Sequence, residues 1–171
     1  MPEGRSVMPA VLKRRVVMLA LAAAVTSADL AAKAWADAAL PGAPVEAGLL
    51  DLRLAHNAGV AFSLAAEAPA WTVLAFTAAV TTAVAVLVWR TAPTAGRLWR
   101  IALAVVLGGA AANLADRAAD GVVTDYLATT WWPTFNLADV AITVGAVLLI
   151  AAGWRADKAR PASADGQDEE R

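Results

Sequence analysis

The segment Phe135-Asn136-Leu137-Ala138-Asp139-Val140-Ala141-Ile142-Thr143-Val144-Gly145 places a carboxylate at the start of an apolar run. No charged residue occurs from Val140 to Trp154, so this stretch is suited to hydrocarbon rather than to water. An ionisable side chain beside a membrane segment is costly and usually has a functional reason to be there. Asp139 is therefore the first candidate for a residue that carries chemistry.

The composition predicts a membrane protein. The 171 residues are 60% apolar and 17% charged, whereas a globular domain is nearer half apolar and a quarter charged. A net charge of −1 and the lack of a basic patch exclude nucleic acid as a partner. The chain has no cysteine and the single histidine is His56, which excludes disulfides and the common zinc motifs, so we expect neither a metal nor a cofactor.

Four apolar segments have the length, about 20 residues, that a helix needs to cross a bilayer. They run from about residue 16 to 35, 71 to 89, 99 to 115 and 135 to 154. The segments lack the alternation of apolar and polar residues that is typical of β-barrel strands. We therefore predict an all-α membrane protein with four transmembrane helices in one domain, residues 13–155, flanked by a short tail at 1–12 and a disordered tail at 156–171.

The flanking residues predict the limits and the orientation of these spans. All seven tryptophans lie at or near span ends, where indole rings prefer the headgroup level. Lysine and arginine concentrate before span one, between spans two and three, and after span four, which predicts cytoplasmic termini and outward-facing loops. The basic N-terminus resembles a cleavable signal peptide, but its polar continuation through Asp29 and Lys33 favours a retained first span.

Polar side chains recur at the predicted outward ends of spans one, three and four. Residues three or four apart share a face of a helix, so each cluster can act together. Span two has no charged residue before its end and is predicted to be scaffold. The clusters are Asp29 with Lys33, then Asn113 with Asp116 and Arg117, then Asn136 with Asp139. Asn113-Leu114-Ala115-Asp116 recurs as Asn136-Leu137-Ala138-Asp139, which we interpret as chance.

Asp125 is a further acid with apolar neighbours, in Val122-Val123-Thr124-Asp125-Tyr126-Leu127. Two carboxylates that meet at a membrane surface cannot both ionise, so one keeps a proton. The ionised acid can activate water and the protonated acid can polarise a carbonyl. Spacing alone leaves Asp116 and Asp125 open as partners for Asp139. Arg117 beside Asp116 favours a permanently ionised structural acid there, so we favour Asp125.

The loop after span one contains Asn57, Gly59 and Phe62 within Asn57-Ala58-Gly59-Val60-Ala61-Phe62. The Asn and Gly permit a turn with close backbone approach. Taken alone, this segment is either a polar turn with an apolar anchor or a surface that contacts a ligand.

Taken together, these strings resemble the bacterial lipoprotein signal peptidases (signal peptidase II). The resemblance extends from Asp29 to Gly145 and comprises five motifs in order. Each motif is weak alone, but their order across four spans is specific. They are the Asp29–Lys33 pair, the Asn57–Phe62 loop, the glycine-rich run from Gly108 to Arg117, Val122–Tyr126 and Phe135–Asp139.

The resemblance implies an intramembrane aspartyl endopeptidase that removes signal peptides from diacylglyceryl-modified prolipoproteins, before the lipidated cysteine. It implies a multi-pass protein of the bacterial cell membrane, an extracytoplasmic active site, a small β-like cradle from the first loop, and inhibition by globomycin-type compounds. Four spans can suffice as a monomer. The resemblance also implies roles for the matching residues. The catalytic residues would be Asp125 and Asp139. The residues that bind substrate or shape the site would be Asn57, Gly59, Phe62, Asn113, Arg117 and Asn136, and the structural ones Asp29, Lys33 and Asp116, with Asp116 supporting Arg117.

Three departures from the family pattern concern packing more than chemistry. Ala112 replaces the usual glycine before Asn113, and Tyr126 replaces the phenylalanine that more often follows the acid. The stretch between Asp125 and Asp139 is also shorter than in many members, which affects the expected loop geometry.

Other functions compete with this interpretation. A small proton-coupled transporter or channel subunit would also use membrane acids, but here the acids cluster at one surface. A non-catalytic scaffold explains the paired charges but not Asp125 and Asp139, which have no basic neighbour in sequence. A peptidase using Ser63 and Lys33 needs a neutral lysine, which Asp29 opposes.

Overall fold

The computed structural model describes residues 9–42, 44–59 and 69–158. These residues form four long helices and two short strands. Each helix is long and apolar enough to cross a membrane, which confirms the four predicted spans. In chain order the elements are α1 (Ala10–Ala39), β1 (Asp51–Asn57), α2 (Ala70–Thr91), α3 (Arg97–Asp120), β2 (Val123–Ala128) and α4 (Leu137–Lys158).

The helices extend beyond the apolar segments from which they were predicted. Helix α1 begins at Ala10, inside the predicted tail, because the lysine and arginines of its first turns are good helix formers. Helix α4 likewise continues to Lys158. Helix α3 does not end at Ala115 but at Asp120, so the polar residues after Asn113 are helical. Gly121 then adopts φ 91° and reverses the chain into β2.

Helix α3 lies at the centre of the bundle and packs against the other three helices. Glycines allow the close approach. A Cβ atom on Gly108 would lie 2.7 Å from the carbonyl oxygen of Ala22 in α1, and one on Gly109 would lie 2.5 Å from that of Ala138 in α4. Small residues at such interfaces are the usual means of packing helices in membranes. The contact at Gly109 fixes the start of α4 against α3.

The two loops at one end of the bundle form a small antiparallel sheet, β1 with β2. The β-like cradle was predicted from the first loop alone; that prediction was incomplete, because half of the sheet comes from the second loop. Its register pairs Ala55 with Asp125 and Asn57 with Val123. Alternate side chains of a strand share one face, so Asn57 and Asp125 lie on the same face of the sheet.

Candidate active site

The start of α4 is a reciprocal cap that fixes Asp139. The side-chain oxygen of Asn136 accepts the backbone N–H of Asp139 at 2.9 Å. In return, the Asp139 Oδ2 atom accepts the backbone N–H of Asn136 at 3.3 Å. This is the geometry of a capping box, in which two otherwise unpaired N–H groups are satisfied. The carboxylate is thereby held at a helix N-terminus, where the helix dipole favours negative charge.

Two other elements satisfy the remaining N–H groups of this first turn. The backbone N–H of Ala138 donates to Oδ1 of Asp29 in α1 at 2.7 Å. The backbone N–H of Leu137 donates to the hydroxyl oxygen of Tyr126 in β2 at 3.3 Å. Unsatisfied N–H groups at a buried helix end are costly, so these contacts stabilise one position of α4 relative to α1 and the sheet.

Asp125 is the most enclosed acid of the sheet, with 1% of its surface exposed. Its Oδ1 atom accepts a hydrogen bond from the side-chain amide of Asn136 at 2.7 Å, and its Oδ2 atom accepts one from Asn57 at 3.3 Å. Burial raises the pKa of Asp125 to about 6, and the charge of nearby Asp139 adds to the increase. The two amide hydrogen bonds oppose that shift because they stabilise the ionised form.

Asn136 therefore connects the two acids. Its amide nitrogen contacts Asp125, and its amide oxygen and backbone N–H contact Asp139. The side chain has 0% exposure, so water does not compete for these bonds. Asp139 also accepts a hydrogen bond from the amide of Asn113 at 2.8 Å. The structure thus places Asp125, Asp139 and both asparagines in one network.

Lys33 is a buried cation that joins α1 to α3. Its ammonium group lies 2.9 Å from Oδ2 of Asp29 and 3.1 Å from Oδ2 of Asp116. It also donates to the side-chain oxygen of Asn113 at 2.7 Å. These contacts match the three donors of an ammonium group. The predicted Asp29–Lys33 pair is present, and through Asn113 it reaches Asp139.

Among the described residues Asp116 forms no ion pair with Arg117, so the prediction that it supports Arg117 stays a prediction. Asp116 contacts Lys33, and its Oδ2 atom accepts the backbone N–H of Thr124 at 2.8 Å. Neighbouring residues of a helix point in different directions, so Asp116 and Arg117 do not face each other directly. Asp116 holds the beginning of β2 against α3 at Thr124, the residue directly before Asp125.

Arg117 is buried and acts on the backbone of β1. Its guanidinium donates to the carbonyl oxygen of Asn57 at 3.2 Å. Within the described residues, its Nε atom has no hydrogen-bond partner. The side-chain oxygen of Asn57 accepts the N–H of Gly59 at 2.8 Å, and Gly59 has φ 94°. Phe62, the remaining predicted site residue, lies outside the described residues.

Two grooves open beside Asp139. One of about 610 Å³ lies beside β1 and is lined by both polar and apolar residues, the polar ones including His56, Asn57 and Thr134. The other, of about 390 Å³, runs along α4 and is lined by apolar side chains that include Trp131 and Val144. Trp132, Phe135, Asp139 and Thr143 line both grooves. Asp139 therefore lies where a groove of mixed polarity meets an almost wholly apolar one.

Sequence reasoning missed the role of Tyr126, which it treated as an easy replacement for phenylalanine. The hydroxyl is buried and accepts the Leu137 N–H, a contact that phenylalanine cannot make. The general rule that a buried tyrosine hydroxyl finds a hydrogen-bond partner could have predicted such a contact. Sequence reasoning also assigned Asp29 to α1 alone, although its carboxylate caps α4.

The chain matches known proteins across this region. A family model described as signal peptidase (SPase) II matches residues 21–155, which include all four helices in large part and both strands. The chain belongs to the signal peptidase II family. The residues of the network described above, from Asp29 to Asp139, all lie within the matched range.

Relatives within the family are similar over most of the chain. The lipoprotein signal peptidase of Ectopseudomonas mendocina (strain ymp) is 42% identical over 118 residues, which is 65% of this chain and 70% of the relative. That of Pseudomonas aeruginosa (strain UCBPP-PA14) is 43% identical over 123 residues, 67% of this chain and 72% of the relative. That of Paraburkholderia phytofirmans is 48% identical over 105 residues, which is 58% of this chain and 61% of the relative.

Solved structures support the fold. A bacterial membrane enzyme determined by the in meso method at 2.3 Å resolution superposes with a TM-score of 0.72 at 20% identity, covering 87% of this chain and 94% of the other. A second bacterial membrane enzyme, determined by the same method at 1.9 Å resolution, superposes with a TM-score of 0.68 at 22% identity. The superposition covers 80% of this chain and 92% of the other. The helical membrane architecture of this chain is therefore one that membrane enzymes use.

Proposed function

We propose that this protein is an aspartyl endopeptidase that removes signal peptides from diacylglyceryl-modified prolipoproteins, with Asp125 and Asp139 as its catalytic pair. The observation that carries the proposal is the buried residue Asn136, whose side-chain amide donates to the carboxylate of Asp125 and whose backbone N–H donates to the carboxylate of Asp139. Membership of the signal peptidase II family and the names of the relatives support the reaction and the substrate class.

The environments of the two acids suit different roles. Asp125, whose pKa burial raises to about 6, is the acid that holds the proton and donates it to the scissile carbonyl oxygen. Asp139, at the N-terminus of α4 and bonded to Asn113, accepts a proton from the attacking water. Attack of water gives a gem-diol; the proton taken by Asp139 then passes to the amide nitrogen as the C–N bond breaks, and a gem-diol hydroxyl returns a proton to Asp125, so no covalent enzyme intermediate forms.

The grooves suit a substrate that is part peptide and part lipid. An extended peptide can lie in the groove beside β1, which His56, Asn57 and Thr134 line. Apolar parts of the substrate can lie along α4 in the groove beside Trp131 and Val144. Asp139 lies between them, at the position where the bond before a lipidated cysteine would be placed.

The orientation follows from the positive-inside rule: the termini are cytoplasmic and the sheet faces outward. The chain lacks cysteine, so single-cysteine variants can test this in intact cells. Ala119→Cys, at the exposed end of α3 beside the sheet, should react with a membrane-impermeant maleimide, and Ala156→Cys should not. The opposite labelling pattern would contradict the proposed orientation. One copy supplies every residue of the network, so we propose a monomer.

Cleavage of a matched substrate pair tests the function. Purified protein in detergent would receive a prolipoprotein with its diacylglyceryl group, and the same protein with Ser in place of the modified cysteine. We expect a size shift for the first substrate only, with cysteine as the new N-terminal residue. If the lipidated substrate stays intact while the protein conducts protons in liposomes, the transporter alternative replaces the peptidase.

A further inference from the structure

A second groove lies between α1 and α3 at the end of the bundle opposite the acids. It has a volume of about 380 Å³. Its rim carries four cations and its floor is apolar. The cations are Lys13 and Arg14 of α1 with Arg97 and Arg100 of α3, and the floor includes Val17, Met18, Leu21, Ile101 and Ala104.

The charge of this groove is not balanced by the described part of the chain. None of its lining residues is acidic. Among residues 9–42, 44–59 and 69–158, no carboxylate forms an ion pair with any of the four cations. Four positive charges that converge without a counter-ion repel one another, so an anion in the groove would be stabilised.

Two of the cations are held in place and two are free to bind. The guanidinium groups of Arg14 and Arg100 donate to the carbonyl oxygens of Pro93 and Ala95, which belong to the turn between α2 and α3. Within the described residues, Lys13 and Arg97 make no side-chain hydrogen bond, and both are exposed. The groove therefore has a fixed frame and two unengaged charges.

We infer that this groove binds an anionic phospholipid, with the phosphate between Lys13 and Arg97 and an acyl chain along the apolar floor. The groove lies at the ends of membrane-spanning helices, which is the level of the headgroups. Basic pockets between such helices are suited to anionic headgroups. A free phosphate would use the cations but not the floor, and a neutral lipid would use the floor but not the charge.

This inference does not depend on the proposed function. Sixteen residues separate Lys13 from Asp29 along α1, a distance of about 24 Å in a helix. No lining residue of the groove belongs to the network of the acids. Variants of the rim can therefore lose lipid binding and still cleave substrate at the wild-type rate.

Native mass spectrometry of the purified protein in neutral detergent, titrated with phosphatidylglycerol, measures the binding directly. We expect one saturable site. The double variant Lys13→Gln/Arg97→Gln should bind about thirtyfold more weakly, because each cation near an anionic headgroup contributes about 1 kcal/mol. The charge-keeping variant Lys13→Arg/Arg97→Lys should bind nearly as the wild type does. Arg90→Gln is the matched control, since Arg90 is exposed at the end of α2 and does not line the groove.

Three results would overturn the inference. Equal binding of phosphatidylcholine would show an apolar groove without charge selection. Competition by inorganic phosphate at the same concentration would show a simple anion site. Equal weakening by Arg90→Gln would show general surface charge rather than this groove. Circular dichroism of each variant separates loss of binding from loss of folding.

Discussion

Replacement of Asn136 by alanine should change both the stability of the protein and the pH dependence of cleavage. Alanine removes the N-cap of α4, at a cost of about 1 kcal/mol. It also removes the amide that donates to Asp125 at 2.7 Å, and hydrogen bonds to charged groups contribute about 1.5–3 kcal/mol. We expect the free energy of unfolding to fall by about 3 kcal/mol.

The effect on pH dependence follows from the same hydrogen bond. The amide stabilises ionised Asp125, so its loss raises a pKa that is already about 6. A loss of about 1.5–3 kcal/mol corresponds to about one to two pKa units. The basic limb of the cleavage profile reports the proton shared by the pair, which must be present for catalysis. That limb should lie near pH 6 in the wild type and move to higher pH in the variant.

The assay is cleavage of lipidated prolipoprotein in detergent across pH 4.5–8, with chemical unfolding measured on the same samples. Asn136→Ser is the informative second variant, because serine keeps a good N-cap but not the amide. Leu103→Ala, in the buried core at the other end of the bundle, is a control with a comparable loss of stability and an unchanged profile. A limb that stays in place or moves to lower pH in Asn136→Ser would refute the reasoning.

Three further predictions concern the surroundings of the acids. Lys33→Met should lower the free energy of unfolding by about 3–5 kcal/mol, because it leaves buried carboxylates unpaired; an unchanged denaturation midpoint would contradict this. Gly109→Ala should lower stability by about 1–3 kcal/mol and slow cleavage, because its Cβ would meet α4, whereas Gly153→Ala, with open space, should do neither. The folded state raises the pKa of Asp125 from 3.8 to about 6, so between these pH values it binds more protons than the unfolded state does. The free energy of unfolding of the wild type should therefore fall by about 3 kcal/mol as the pH rises through this range. Asp125→Asn should lack that loss, which denaturation of both proteins across this pH range would measure.

The four spans could be predicted from the sequence because hydropathy alone distinguishes segments that favour hydrocarbon from segments that favour water. Their limits could not, because helix formation does not stop where charge begins. The first turns of α1 carry Lys13-Arg14-Arg15 and are helical. The segment Val123–Ala128 has the β-branched residues of a strand, but its pairing with β1 depends on two loops that are distant in sequence.

The repeated tetrapeptide shows how much of the site depends on position in the fold. Asn136 begins a helix, so its side chain caps the N–H of Asp139 three residues later. Asn113 occupies the middle of α3, and its side chain instead contacts Lys33 and Asp139 on other helices. Sequence alone predicted that these residues matter. The sequence could not show that Asn136 caps a helix whereas Asn113 joins two other helices, because that difference depends on where each helix begins.

The central claim is that Asp125 and Asp139 act together as the catalytic pair, and single-turnover cleavage of a lipidated prolipoprotein by three Asp→Asn variants tests it most directly. We expect Asp125→Asn and Asp139→Asn to fold and to lose cleavage by at least about a thousandfold, since each removes one half of the acid–base chemistry. Asp120→Asn, at the exposed end of α3, should cleave as the wild type does. Wild-type cleavage by either folded Asp125→Asn or folded Asp139→Asn would contradict the account.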